Sequence, residues 1–400
     1  MYRLFLFLVL AVQVRPTSAQ LAVRGETIYT MAGPTIADGV VLVGRDGKIE
    51  RVGAADRVRI PSNYRVLEAA VVTPGLIDAR ATVGLSGLPN QEQDRDALDL
   101  GDPLQPALRA MDAYNARDEL VEWLLSFGIT TVHTGHAPGA LAAGQTTIVK
   151  TAYRTLDEAL VDSTTMQAMT LGSSIRGYFD KPGTRARAVA DLRRSLYEAL
   201  EYHRKRAGED PPERDLDKEA LAAVATGRMP ALLEAHRAND ILTALRLVRE
   251  FPEMRMILSG ASEAYLVLDE LREMGVPVIL HPTMMRARGE RENATMETAN
   301  LLHQAGILFS IQSGYESYVP KTRVVLFEAA IAAAYGLPRD AALAAITIDA
   351  ARILGIENLV GSIEEGKDAD LVLFDGDPLE YTSHVCAVIV DGRVVREECK

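Results

Sequence analysis

From about residue 74 to 355, short apolar runs alternate with amphipathic stretches of helical period. This alternation is the strongest constraint on what the chain can fold into. Strand then helix, repeated at this spacing, calls for a parallel sheet, because each strand returns through a crossover. The candidate strands are 130–133, 146–150, 230–234, 255–259, 276–280 and 307–311. The candidate helices are 185–206, 215–227, 239–250, 263–274, 293–304, 322–335 and 340–354. Over ~280 residues, a closed (β/α)8 TIM-like barrel suits such an α/β series.

The two ends have a different texture. Residues 21–73 read as short strands joined by turns, with Gly44-Arg45-Asp46-Gly47 between alternating apolar runs. The segments DADLVLFDGD and VCAVIVDGRVV near the C-terminus follow the same pattern. The expectation is a small composite β-sandwich, formed by residues 21–73 plus 358–400, beside a barrel of residues 74–357. The first residues read differently again. Arg3 precedes an apolar run, Leu4 to Val14, that is too short to span a bilayer, and Thr17-Ser18-Ala19 offers small residues for cleavage. Residues 1–19 are therefore expected to be a signal peptide, the alternative being an anchor that stays attached. The protein is expected to be exported, periplasmic or extracellular, with no membrane span.

Charge and cysteine usage narrow the function classes. With 43 Lys and Arg against 55 Asp and Glu, the formal charge is −12, which argues against a nucleic-acid or anionic-membrane partner. Two cysteines are too few for a disulfide scaffold or a cysteine-built zinc site. Asp391-Gly392 is a hairpin signal. With those two residues as the loop, Cys386 faces Glu397, which leaves Cys386 and Cys399 as diagonal neighbours ~7 Å apart. That is long for a bridge, so free thiols are expected.

Specific motifs carry a resemblance. Val72-Thr73-Pro74-Gly75-Leu76-Ile77-Asp78-Ala79 follows the first β-rich segment, and Gly361-Ser362-Ile363-Glu364-Glu365-Gly366-Lys367-Asp368-Ala369-Asp370-Leu371-Val372 precedes the last. Gly128-Ile129-Thr130-Thr131-Val132 and Ala235-His236-Arg237-Ala238-Asn239-Asp240-Ile241 lie between them in the expected order. The chain resembles the amidohydrolase superfamily, in its imidazolonepropionase-like branch. The resemblance implies the barrel and composite sandwich, and hydrolysis of carbon–nitrogen (amide or cyclic amide) bonds by a metal-activated water.

The ligand positions that the resemblance implies are substituted. The His-x-His pair at the end of the first barrel strand becomes Arg80 and Thr82. Arginine stays protonated and has no lone pair to give a cation. The strand-five histidine position holds Glu234, the strand-six position holds Gly260, and the strand-eight aspartate position holds Gly314. One carboxylate facing an arginine reads more naturally as an ion pair than as a metal site.

Other residues remain as pocket candidates. His133 and His136 stand on a strand-to-loop exit, His236 shares the parity of Glu234, and His281 ends the VPVIL strand. These are barrel-mouth positions. Gln312, Tyr315, Glu316 and Tyr318 stand at another mouth position, and Lys150 is weighed as a carboxylated bridge because some relatives carry one. His203, His303 and His384 read as structural. Ser259 and Ser313 lack an evident base. Gly135-His136-Ala137-Pro138-Gly139 is no phosphate loop, since no Gly-Lys-Ser/Thr follows.

Two readings stay open. In one, the protein keeps the fold and lacks the metal centre, as a pseudoenzyme that binds a small molecule or partners an active paralogue or a second copy. In the other, it is an exported hydrolase with a site rebuilt from Glu234, His236, His281, His133 and His136. No cofactor is expected in the first; zinc or another divalent metal is the alternative.

Overall fold

Strand and helix propensities are resolved here by burial. The structure is a computed structural model that describes residues 20–87, 91–281, 283, 287–315 and 324–399. The signal peptide expected at residues 1–19, and the mouth candidates Glu316 and Tyr318, lie outside the described residues. In chain order the first strands are β1 (Leu21–Ile28), β2 (Ile36–Val43), β3 (Ile49–Ala54), β4 (Arg65–Pro74), β5 (Leu76–Ala81) and β6 (Ile129–Thr134). There follow β7 (Ala142–Gln145), β8 (Thr147–Lys150), β9 (Leu160–Asp162), β10 (Gln167–Thr170), β11 (Ala231–Ala235) and β12 (Met256–Gly260). The last are β13 (Val278–Leu280), β14 (Phe309–Ile311), β15 (Leu371–Phe374), β16 (Val385–Val390) and β17 (Arg393–Arg396).

The two ends of the chain build one sheet, in the order β17-β16-β15-β4-β1-β2-β3. β1 runs parallel to β4, with Leu21 opposite Arg65, and β15 runs antiparallel to β4, with Leu371 opposite Pro74. The long-range pairing that the textures of the two ends suggested is therefore present. Val23, Val41, Leu67, Leu371 and Ile389 fill a core of their own beneath it.

The middle of the chain is mixed α/β. β10 to β14 form a parallel run, and β5 pairs parallel with β6. An isolated parallel bridge, Ala81 to Gly314, connects the two runs. At the opposite margin the short strands β7 and β8 pair antiparallel with β10 and β6, so the ladder there is not continuous. Neighbouring residues on these strands feed opposite cores. Ile77, Leu232, Ile257 and Ile279 enter one cluster, whereas Leu76, Leu233, Leu258 and Val278 enter another. Burial on both faces is why these strands read as continuous apolar runs. Among the described residues no helix is long and apolar enough to cross a membrane.

The longest helix, Arg185–Arg206, has the boundaries its periodicity predicts. The Thr184 hydroxyl accepts from the Arg187 N–H at 3.2 Å and caps it. Ala188, Leu192, Leu196, Ala199 and Tyr202 form its buried stripe. Residues 340–354 are instead two helices, Arg339–Ala345 and Ile348–Leu354. Between them Thr347 turns back to donate its hydroxyl to the Leu343 carbonyl at 2.6 Å. Strands β7 and β10 had no sequence signal, since AAGQ and QAMT hold no run of β-branched or aromatic residues.

The expectation of free thiols is overturned, because Cys386 and Cys399 form a disulfide. The two-residue turn is as expected, with Val390 opposite Arg393. A bulge then pairs Val388 with Arg396. One extra residue on the returning arm draws Cys399 a position nearer to Cys386 than a regular ladder allows.

Candidate functional site

The parallel strands place their C-terminal ends together, and most of the candidate residues stand there. Register sets Thr170, Glu234 and Ser259 side by side on β10, β11 and β12. Together with Arg80 and His136 these three line a small cavity of about 10 Å³, room for roughly one water.

Arg80 is buried at the end of β5. Its guanidinium donates to the His136 carbonyl and, at 3.3 Å, to the Ala81 carbonyl. Burial lowers it to about 10, while Glu234, Tyr315 and Asp78 work the other way, so it is a cation at neutral pH. Glu234 does not grip it directly. Oε1 of Glu234 accepts from the Tyr315 hydroxyl and lies 3.1 Å from His236 Nε2. Burial opposes the charge on Glu234, but the His236 hydrogen bond and the neighbouring imidazoles outweigh it and hold the carboxyl below its ordinary range. Arg80 and Glu234 thus face one cavity as opposite charges rather than as the contact ion pair expected from sequence.

The imidazoles differ in what they can offer. His236 Nδ1 lies 2.8 Å from the Ser262 hydroxyl, and its ring meets that of His281 edge-on at 5.5 Å. His281 Nε2 lies 2.7 Å from Arg291 Nη1, and its ring is 5.2 Å from that of Tyr315. His133 is closed off beside the site. Its Nδ1 lies 2.7 Å from the Ala79 carbonyl and its Nε2 2.6 Å from the Thr146 hydroxyl. Burial, assisted by Arg80, pushes it down to about 3, so it stays neutral. His136 lines the cavity, and neither ring nitrogen has a partner among the described residues. Thr82 turns away toward the Ser86 hydroxyl at 3.3 Å.

Two glycine positions can be read physically. Gly260 has φ +84°, and a Cβ there would lie 2.8 Å from the His236 ring and 3.2 Å from Glu234 Cγ. The imidazole of His236 occupies the room that a side chain at 260 would need. Gly314 makes the bridge to Ala81. Gln312 donates to the Ser259 hydroxyl at 3.2 Å and the Ile279 carbonyl at 3.0 Å, which keeps it in the core.

Lys150 is elsewhere. Its ammonium meets Asp368 at 2.8 Å, Asp370 at 3.2 Å, and Asp391. Asp391 also accepts from Tyr153, and Lys48 pairs with Asp368. Burial opposes the lysine's charge, but the three carboxylates outweigh it and raise the group. Lys150 therefore ties β8 to the terminal sheet and is not a bridge between metal ions. The Asp-Ala-Asp and Asp-Gly motifs supply the carboxylates.

Sequence reasoning missed Asp78 and the segment 287–297. Asp78 stood in plain view as a charged residue inside an apolar strand. Its Oδ1 accepts from the N–H groups of Arg80 and Ser313, at 3.2 and 3.1 Å, and burial raises it to about 7. A raised carboxyl favours the folded state when protonated, so its contribution is full below the ordinary 3.8 and is lost as pH rises through about 7. Asp78→Asn keeps the acceptor and removes the titration. Its stability relative to wild type is expected to climb between about pH 4 and 7, by up to ~1.4 kcal/mol per pH unit, and then level off. Urea midpoints across that range test this; a pH-independent difference refutes it.

Segment 287–297 straps the mouth. Glu290 pairs with Arg185 at 2.7 Å and Glu292 with Arg237 at 2.8 Å. Asn293 donates to Glu263 at 2.7 Å, and its carbonyl accepts from Tyr265 at 3.0 Å. The helix expected over 293–304 begins only at Thr298, and the residues before it are ordered by side-chain contacts instead.

A divalent cation needs several anionic or imidazole donors converging on one point. Among the described residues no three His, Cys, Asp or Glu side chains gather in that way. A fixed guanidinium at position 80, which has no lone pair and carries a positive charge, does not fit such an ion.

Comparisons with known proteins agree with the strand order and motifs. The Amidohydrolase family profile matches residues 256–395. The chain is 26% identical over 390 residues to Amidohydrolase tasK of Hapsidospora irregularis, covering 89% of this chain but 39% of that protein's length. It is 24% identical to an imidazolonepropionase of Brucella anthropi, covering 90% of this chain and 92% of the relative. Among solved structures, an amidohydrolase from Thermotoga maritima superposes with a TM-score of 0.88 at 29% identity, covering 94% of this chain and all of that one.

Proposed function

We propose that this chain, which belongs to the amidohydrolase superfamily, is a metal-independent member that binds a small molecule at the strand ends. The observation that carries this reading is Arg80. A buried cation, held by two carbonyls and facing Glu234, stands where the resemblance puts a metal ligand. A second cation placed there would meet its repulsion in a poorly screened interior. With no metal to activate water, the site's remaining chemistry is recognition. Arg80 and Glu234 supply opposite charges, Ser259 and Thr170 hydroxyls, and His136 a neutral imidazole.

The finer fold belongs to this proposal. The seven strands of the two parallel runs, bridged at Ala81 and Gly314, support reading the middle of the chain as a (β/α)8-type barrel, and the single terminal sheet supports a composite sandwich beside it. Export, with residues 1–19 as the signal peptide, is supported by the Cys386–Cys399 bridge, since disulfides persist in oxidising compartments. The binding function is exercised alone, as a homo-oligomer, or beside an active paralogue.

Elemental analysis of the mature protein, purified without added metal and again after exposure to zinc and manganese, tests the reading. Far less than one metal per chain is expected, with thermal stability unchanged by a chelator. A stoichiometric, chelator-sensitive metal overturns it. A second reading, hydrolysis at a rebuilt site, is favoured by the 3.1 Å contact between Glu234 and His236. Turnover of simple amides that Glu234→Gln abolishes would establish it instead.

A further inference from the structure

The strands have a second open end, away from Arg80 and Glu234. Residues at the N-terminal ends of β10 to β14, among them Met166, Pro230, Met256, Pro277 and Leu308, line a cavity of about 630 Å³. It adjoins another cavity, of about 760 Å³, and the two share Thr164 and Arg228. We propose that the first cavity is a binding site for a single-chain amphiphile with an anionic head, a medium-chain carboxylate in its simplest form. The tail lies among the methionines and the head meets Arg228. The proposal goes beyond the reading of the Arg80–Glu234 cavity and does not depend on whether that cavity excludes metal.

The tail follows from the lining. Met166, Met254, Met256 and Met274 all line this cavity. They are four of the 12 methionines in the chain, drawn from three separate segments. Methionine is unbranched and polarisable, so a wall rich in it adapts to a flexible apolar guest. Val248, Val276, Ile353 and Leu354 add branched apolar surface. Leu308 is 38% exposed, so the apolar lining continues out to solvent and gives a way in. The volume falls within the range of small-molecule sites, about 300–1,000 Å³.

The head group follows from charge. The cavity carries three guanidiniums, Arg228, Arg255 and Arg352, against one carboxylate, Asp162. Asp162 accepts from the Thr164 N–H at 3.1 Å, and Arg352 pairs with Asp349 at 2.8 Å. Arg255 donates to the carbonyls of Gly227 and Arg228, at 2.8 and 3.4 Å. Arg228 donates to the Thr226 hydroxyl at 3.2 Å and meets no carboxylate among the described residues. The adjoining cavity repeats the excess. There Arg109 pairs with Asp112 at 2.8 Å and Arg214 with Glu219 at 2.9 Å, which leaves Arg206 and Arg228 without a carboxylate of their own among the described residues. In a chain of formal charge −12, this end of the strands is a local positive field that draws anions. Deeper in the first cavity, the Thr165 hydroxyl is buried without a partner among the described residues. Buried hydroxyls are rarely left so. An anionic head supplies an acceptor for that hydroxyl and a charge-assisted partner for Arg228.

Calorimetry on the purified protein at neutral pH provides the test, with decanoate, decyltrimethylammonium and acetate as probes below their micelle-forming concentrations. Decanoate is expected to bind at one site per chain. Decyltrimethylammonium shares the tail and reverses the charge, and acetate keeps the head without the tail. Each is expected to bind at least tenfold more weakly. Arg228→Gln is expected to weaken decanoate binding at least fivefold without moving the urea midpoint, and Met274→Gln to weaken it from the tail side. In wild type, decanoate should shift the ε-methyl signals of Met166, Met254 and Met256 in 13C spectra. No decanoate binding, equal binding of decanoate and decyltrimethylammonium, binding that Arg228→Gln leaves intact, or unmoved methionine signals each overturns the proposal. Capture of phosphatidylglycerol vesicles without decanoate binding assigns the face to a membrane surface. Self-association that Leu308→Gln abolishes, again without decanoate binding, assigns it to a second copy of the chain. Either result overturns the proposal as well.

Discussion

Arg80→Ala is expected to destabilise the protein by about 3–5 kcal/mol, read as a lower urea midpoint with an unchanged slope. The loss does not come from a broken contact pair. Removing the guanidinium leaves the carbonyl of His136 without its donor and leaves Glu234 as a buried charge with its compensating cation gone. Uncompensated buried charge is the costly element. Arg80→Ala combined with Glu234→Gln should therefore recover part of the loss, because the second change removes the orphaned charge. Additive losses in the double variant would mean that the two residues do not share a field. A single-variant effect within error would mean that Arg80 is solvated.

Lys150→Met is expected to cost a similar amount, about 3–5 kcal/mol, by a different route. The side chain keeps its length and apolar stem but leaves Asp368, Asp370 and Asp391 facing one another. Burial already raises Asp370 to about 6, and Asp391 adds to that. Without the lysine, the three can coexist only by taking up protons or moving apart. The loss should thus be largest above pH ~6 and shrink in acid, where protonation supplies what the lysine supplied. Introducing Asp370→Asn beside Lys150→Met should return part of the stability. Equal destabilisation at pH ~5 and ~8 would refute the electrostatic account.

Much of the fold was legible because burial leaves marks at fixed periods. The helix at Arg185–Arg206 repeats its apolar stripe from Ala188 to Tyr202, about four turns, and caps with Thr184, so its extent could be read. β11 and β12 are apolar runs bounded by polar loops, and their positions were read within a residue or two. β7 (Ala142–Gln145) and β10 (Gln167–Thr170) left no mark, because neither is an apolar, β-branched run like the equally short β8. The bulge that unites the cysteines was invisible because one inserted residue changes register without changing composition. The site divides in the same way. Positions 80, 234, 260 and 314 were legible through contiguous motifs. Glu290, Arg291 and Asn293 were not, because they are ordered by distant partners, Arg185, His281, Glu263 and Tyr265. Lys150 was weighed for the site because it ends a strand, but a strand end does not say which of its neighbours holds the charge.

The terminal sheet sets an order of events. β4 pairs with β1 on one side and with β15 on the other. Its second edge stays open until a segment ~300 residues further along has been made, which at ~5–20 residues per second on the ribosome is roughly 15–60 s. Throughout that interval the nascent chain displays an unpaired apolar strand edge, the kind of surface on which neighbouring chains pair wrongly. The entropy of closing so long a loop falls on the last step rather than the first. The chain's first-made segment is thus among the last to reach its final partners, and a chain cut short before β15 cannot complete its own beginning.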